Sequence, residues 1–324
     1  MSSFNLNYRT LRVSTGHNIR FIDHKPAQGE PKATLLCVHG FPDFSYGWRY
    51  QVAPWAKAGF RVIAPDTLGC GGSDKPAETS AYTIKSIVND LVALLDALSI
   101  RQVVIIGHDW GAMVTWRFLQ WHPDRCLAVV ALSIPYYPPP PQYIPIEEAA
   151  KRVPNFGYQV YFASEQSTKE IEANIERFFK VIYRPPGVQG SMALLGEIQP
   201  LVLGKADFEA KSVLTNEELN AYITSFRDNM HGPLSYYRNT RRNFDDYSTL
   251  PSKLPQDIPI LLLYGSEDIA SSERAAKASK RFAPQTAIVR MEGRGHWLMV
   301  EAKDEVTERV IAFVNNVVGA KGKL

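Results

Sequence analysis

Six short apolar runs dominate this sequence: TLLCVHG, RVIAPD, QVVIIGH, CLAVVALS, PILLLYG and AIVRMEG. Each is rich in strand-forming residues and stops at a turn signal. Amphipathic segments separate them. In YTIKSIVNDLVALLDALSI, the residues Ile84, Ile87, Val88, Leu91, Leu94, Leu95 and Leu98 recur at helical spacing on one face. Such strand–helix alternation predicts an α/β fold with a mostly parallel central sheet and helices on both faces. LRVST and IRFID, turning around Gly16-His17-Asn18, predict a leading hairpin. In sheets of this kind ligands sit beyond the carboxyl ends of the strands.

The alternation stops at IPYYPPPPQYIPI, residues 134–146, whose six prolines form a stiff, extended connector. From there to Tyr247 the pattern is helical and holds ten of the fifteen tyrosines. LPSKLPQDIP then leads back into a strand. The chain is therefore expected to divide into a core over 1–135, a helical cap over 136–247, and the rest of the core over 248–324.

The 324 residues carry a net charge of +3 and no basic stripe with interleaved aromatics, which disfavours nucleic acid as a partner. The apolar runs are too short for a membrane span. The N-terminal MSSFNLNYRTLR has no apolar signal core, so a cytoplasmic location is expected. Cys37, Cys70 and Cys126 are an odd number, expected to be reduced thiols. The terminal GKL loosely matches a peroxisomal address; its plainer reading is a solvated basic tail. Monomer and homodimer are both compatible with the sequence.

In VVIIGHDWGAMVTW a buried strand ends at Gly-x-Asp-x-Gly and a helix follows at once. Small residues at 107 and 111 let strand and helix approach closely, so the central residue can hold a strained backbone and project into a cleft. The helix N-terminus favours an anion there. Asp109 could instead simply cap that helix, although capping alone leaves the two glycines unexplained. His108 is expected to be a packed or hydrogen-bonded histidine. An orienting acid and a histidine should follow in chain order, each after a later strand. YGSED offers Asp268, with Glu267 as the second candidate, and GRGHW offers His296. The HGFP turn can aim the Phe41 backbone N–H at Asp109, opposite that of Trp110, as a two-donor anion hole.

HGFP, PDTLGCGGSDKP, GHDWGA, YGSEDIA and GRGHW together resemble an α/β-hydrolase of the soluble epoxide hydrolase type, in that family's order across almost the whole chain. The resemblance implies an α/β-hydrolase fold with an inserted helical cap, acting without cofactor or metal. Carboxylate suits displacement at saturated carbon, giving an alkyl–enzyme ester that water activated by His296 then cleaves. An epoxide oxygen leaves as a basic alkoxide, so ring opening needs an acid still protonated at neutral pH, and a phenol qualifies. The cap offers Tyr158 and Tyr161 in NFGYQVYF, and Tyr236 and Tyr237 in HGPLSYYRN. All four could be ordinary packing. The family carries its ring-opening tyrosines in YQ-x-YF and GPLNWYRN stretches, which carry over to Tyr158 and Tyr237. Ser235 and Tyr236 depart from the usual Asn and Trp. His39, Pro42, Trp110, Tyr161 and Tyr236 complete the expected pocket wall, with the His39 ring also bonding nearby loops. The expected partner is a small apolar epoxide. Haloalkane dehalogenases share HDWG, but usually place a halide donor where Phe41 stands. A non-catalytic ligand-binding homologue would be expected to have lost part of the triad.

Overall fold

In the computed structural model, which describes Phe4 and residues 6–321, eight strands form one sheet. They are β1 (Tyr8–Arg12), β2 (Asn18–His24), β3 (Ala33–Val38), β4 (Phe60–Pro65), β5 (Val103–His108), β6 (Cys126–Leu132), β7 (Ile260–Gly265) and β8 (Thr286–Met291). Their spatial order is β1-β2-β4-β3-β5-β6-β7-β8. The leading hairpin pairs antiparallel, with Arg12 opposite Asn18, and β2 joins β4 antiparallel. Every pairing from β4 to β8 is parallel. The chain order reverses beside β3 and β5, so the carboxyl ends of these strands border the crevice where such sheets bind ligands.

All six residues of β5 are buried, as are those of β7, because helices cover both faces. Alternation along each strand feeds two cores. Leu36, Val38, Ile105, Val129 and Leu262 point into one, and Leu35, Cys37, Val104, Val130 and Leu263 into the other. Helices α1 (Val52–Lys57), α2 (Ile84–Ala97) and α3 (Trp110–Trp121) follow β3, β4 and β5 respectively. Thr83 caps α2 by accepting from the Ser86 N–H, and the helix buries Ile84, Ile87, Val88, Leu91, Leu94 and Leu95. All three cysteines are buried free thiols.

Between β6 and β7 the chain passes through eight helices. These are α4 (Ile146–Arg152), α5 (Tyr158–Ala163), α6 (Gln166–Ala173), α7 (Ile175–Ile182), α8 (Ile198–Val202), α9 (Asn216–Phe226), α10 (His231–Arg238) and α11 (Thr240–Tyr247). After them come α12 (Glu273–Ser279), α13 (Leu298–Glu301) and α14 (Lys303–Lys321). On α14, Val306, Val310, Val314 and Val317 form one buried stripe against the sheet face that α1 also covers. Among the described residues no helix is long and apolar enough to cross a membrane. The terminal GKL, residues 322–324, lies outside the described residues.

The helical insertion is fastened onto the turn after β3. Tyr222 on α9 donates to Asp43 Oδ1 at 2.8 Å, and Tyr183 donates to the Pro42 carbonyl at 2.9 Å. Arg49 bonds Glu218 at 2.6 Å, with both side chains buried. Burial pushes the Asp43 carboxyl up to about 7, while its hydrogen bonds and Arg49 oppose that shift.

A tight constraint at the site lies where α3 meets β3 and β5. A Cβ at Gly111 would stand 2.1 Å from the Val38 carbonyl oxygen, and one at Gly107 would stand 2.2 Å from the Gly111 carbonyl oxygen. Backbone cannot give way as a flexible side chain would. Gly111→Ala is therefore expected to destabilise the protein by about 3 kcal/mol, the upper range for overpacking. Urea unfolding measures this, and an unchanged midpoint would mean that α3 can move off the sheet.

Candidate active site

The turn after β5 places Asp109 at φ 53° and ψ −121°, a conformation that costs a residue with a side chain on the order of 1–3 kcal/mol. Asp109 stands at the N-cap position of α3, yet its side chain makes no capping bond. Oδ1 instead accepts the Phe41 N–H at 2.9 Å, and Oδ2 lies 3.5 Å from His296 Nε2. Trp110, the residue after Asp109, is the first of α3.

His296 sits in the loop after β8, with its Nδ1 at 3.0 and 3.1 Å from the two oxygens of Asp268. Nδ1 therefore carries a proton that Asp268 accepts, which leaves Nε2 turned toward Asp109. The Asp268 side chain is fully buried, and its Oδ1 also accepts the Ala270 N–H at 2.8 Å. Glu267, the other acid of YGSED, is exposed and faces Ser266.

Burial penalises charge on both Asp109 and His296, yet their mutual attraction outweighs it. Asp109 is held below the usual carboxylate range by His296, with help from the Phe41 N–H. His296 is raised well above the usual imidazole range by Asp268 and Asp109. The neighbouring His108 goes the other way, down to about 4, through burial and the nearby charge of His296. It is a neutral histidine.

Tyr158 from α5 and Tyr237 from α10 are buried, with ring centres 6.4 Å apart. Tyr237 meets Phe41 and Trp110 edge-on, each at 5.1 Å. For Tyr158, burial and the Asp109 carboxylate raise the phenol above its ordinary value; for Tyr237, burial, Tyr158 and Asp109 do so. Both phenols hold their protons throughout the neutral range. The two tyrosines, Asp109, His296, Phe41 and Pro42 line one cavity of about 310 Å³, on the small side for a ligand site.

Four residues expected at the pocket wall lie elsewhere. The Thr67 N–H donates to His39 Nε2 at 3.0 Å while His39 Nδ1 bonds the Gly40 carbonyl, so that ring braces loops. The Tyr236 hydroxyl lies 2.7 Å from Thr67 Oγ1, because adjacent residues on a helix point about 100° apart and Tyr237 takes the cavity side. Tyr161 similarly yields the cavity to Tyr158 and Phe162, which are one helical turn apart. Trp110 stacks on Tyr236 at 5.5 Å, as a layer behind Tyr237.

Other parts of the wall had no clear signal in the sequence. Phe162, Ile182, Met192 and Trp297 line the cavity, together with the stretch from Arg184 to Val188. That stretch has neither helical nor strand periodicity; the Arg184 guanidinium fastens it through the carbonyls of Val181, Gln189 and Gly190. Among the described residues, no three His, Cys, Asp or Glu side chains converge as a metal site.

A strained strand-to-helix turn carrying a carboxylate at the carboxyl edge of a parallel sheet, facing an acid–histidine pair, is the arrangement of a hydrolase-type site. The family model for the alpha/beta hydrolase fold matches residues 33–303. Epoxide hydrolase A of Mycobacterium tuberculosis is 35% identical over 302 residues, covering 89% of this chain and 92% of that protein. Bifunctional epoxide hydrolase 2 of Mus musculus is 33% identical over 316 residues, covering 95% of this chain but only 55% of its own length. The chain thus spans about half the length of its mammalian relatives. In structure, epoxide hydrolase A from Mycobacterium thermoresistibile superposes with a TM-score of 0.82 at 30% identity, covering 96% of this chain and 98% of that one. The chain belongs to the α/β-hydrolase fold family, in its soluble epoxide hydrolase branch.

Asp268 supplies the leading attraction that keeps a proton on His296. Asp268→Asn is expected to lower the His296 pKa, read by NMR titration of the ring. An unmoved titration would remove Asp268 as the partner.

Proposed function

We propose that the protein hydrolyses an apolar epoxide to a vicinal diol through a covalent ester on Asp109. One observation carries this reading: a buried carboxylate and two protonated phenols line the same small cavity. The related proteins named epoxide hydrolases support the same reaction class.

In the first step Asp109 Oδ attacks an epoxide carbon. A carbon–oxygen bond forms to the enzyme and the ring C–O bond breaks. The departing alkoxide takes a proton from Tyr158 or Tyr237. Because the phenols hold their protons at neutral pH, they can make this transfer as general acids. Halide displacement would need no such proton, which favours epoxide over haloalkane as substrate.

Ester formation removes the negative charge of Asp109. That charge is one of the two that hold a proton on His296, so alkylation weakens the histidine's grip on its proton and suits it to act as base. The Nε2 proton passes to the phenolate left by ring opening, and the neutral imidazole then takes a proton from the water that attacks the ester carbonyl. The Phe41 and Trp110 N–H groups stabilise the oxyanion that forms. Collapse expels the ester oxygen, which takes the proton of the newly formed carboxyl to complete the diol, so Asp109 is again a carboxylate and His296 again carries its resting proton. The balance is one epoxide plus one water giving one diol. The walls Phe162, Ile182, Met192 and Trp297 suit an apolar substrate body.

His296→Gln should leave ring opening intact and stop ester cleavage, so intact-protein mass should rise by one epoxide. Absence of that adduct would eliminate the covalent route. Tyr237→Phe should slow ring opening on the order of 10²-fold, the scale of general-acid catalysis. An unchanged single-turnover rate would take Tyr237 out of the mechanism.

A further inference from the structure

His296 belongs to a loop, where the hydrogen bonds of the sheet no longer fix the backbone. Its peptide group is nevertheless held from both sides. The carbonyl oxygen of His296 accepts from His108 Nε2 at 2.8 Å and from Ser133 Oγ at 2.9 Å, in addition to the Leu298 N–H at 3.0 Å. On the flanking residues, Glu301 takes the Gly295 N–H on Oε2 at 2.6 Å and the Trp297 N–H on Oε1 at 2.8 Å. None of His108, Ser133 or Glu301 is part of the cavity wall.

The origins of these side chains give the arrangement its meaning. His108 ends β5 and immediately precedes Asp109, so its bond ties the base loop to the strand that carries the carboxylate. Ser133 is the residue after β6; it is fully buried and holds φ +71°, a left-handed conformation rare outside glycine. Its N–H donates to the Leu263 carbonyl at 2.8 Å, which fixes it to β7 as well. Glu301 ends the short helix α13 that follows the loop. The ends of two strands and a helix thus converge on one peptide, with β7 bracing Ser133 from behind. A non-glycine residue kept in a strained conformation by its surroundings is a recurrent mark of functional positioning.

We propose that His108, Ser133 and Glu301 are positioning residues that form a cradle fixing the His296 backbone relative to Asp109, and that this cradle serves the ester-cleavage half of the reaction. The inference rests on the covalent reading above. Ring opening needs the carboxylate and the phenols, whereas ester cleavage needs Nε2 within reach of both a water and the ester carbonyl. Slack in the histidine loop therefore burdens only the second step. Misplacement of a catalytic group by about 1 Å can cost on the order of 10²-fold.

The test uses the full chain with a small apolar epoxide and separates the two steps by rapid quench and intact-protein mass. Ser133→Gly removes the hydroxyl but tolerates the positive φ, so the fold should be retained. Glu301→Gln leaves a carbonyl oxygen for one N–H and turns an amide toward the other. In both variants ring opening should stay within about twofold of wild type, while ester cleavage falls on the order of 10- to 100-fold. Alkylated enzyme should then accumulate during turnover. Equal slowing of both steps, or wild-type cleavage in Ser133→Gly, would overturn the cradle. If Glu301→Gln does not fold, Ser133→Gly decides alone. His296→Gln run alongside separates the two levels of inference. An adduct there, with none in Ser133→Gly, rejects the cradle and keeps the covalent reading. No adduct even there rejects both.

Discussion

At the carboxyl end of β5 the backbone of α3 lies against the backbone of β3 with no room for a single extra carbon. Gly107 and Gly111 permit that approach, and Asp109 between them holds a positive φ that only a rigid surround can maintain. The whole of β5 is buried, and its burial on two faces supplies that rigidity. Phe41, the next turn over, can then donate to Asp109 only because β3 and β5 are parallel neighbours in register, with Val38 beside Gly107. A looser turn would move the carboxylate away from both its donor and His296.

Burial also sorts the titratable groups into distinct roles. The same low-dielectric surroundings that raise the phenols of Tyr158 and Tyr237 make the attraction between His296 and its two carboxylates strong. His108 lies with its ring centre 4.7 Å from that of His296, and a second charge there would repel the first. It stays neutral and donates to a carbonyl instead. Two adjacent histidine rings thus differ because one bonds two carboxylates, while burial and the charge of the first keep the second neutral.

The helical insertion contributes more than a lid of aromatic bulk. Tyr222, Tyr183 and Glu218 bond to the segment from Pro42 to Arg49, so α9 and the end of α7 tie the insertion that also holds Tyr158 and Tyr237 to the turn that carries Phe41. Removing one partner of such a buried network would leave polar groups without compensation, which costs several kcal/mol. In the proposed reaction this fastening keeps the proton donors and the nucleophile on opposite walls of one cavity.

Much of this was legible along the chain. Strand–helix alternation gave the sheet and its two covered faces, since period-two and period-3.6 patterns arise from local geometry that each segment carries by itself. Gly-x-Asp-x-Gly, YGSED and GRGHW marked Asp109, Asp268 and His296 because each sits just past a strand end, where chain order and side-chain chemistry suffice. Packing between distant segments decided the rest. Whether Tyr158 or Tyr161, and Tyr236 or Tyr237, faces the cavity depends on the rotation of α5 and α10 against the sheet, to which tyrosine identity is blind. His39 met Thr67, and His296 met His108 and Ser133, across as many as 188 positions of sequence. Such bonds come from side chains and backbone groups brought together only when the strands pair, so no local pattern could announce them.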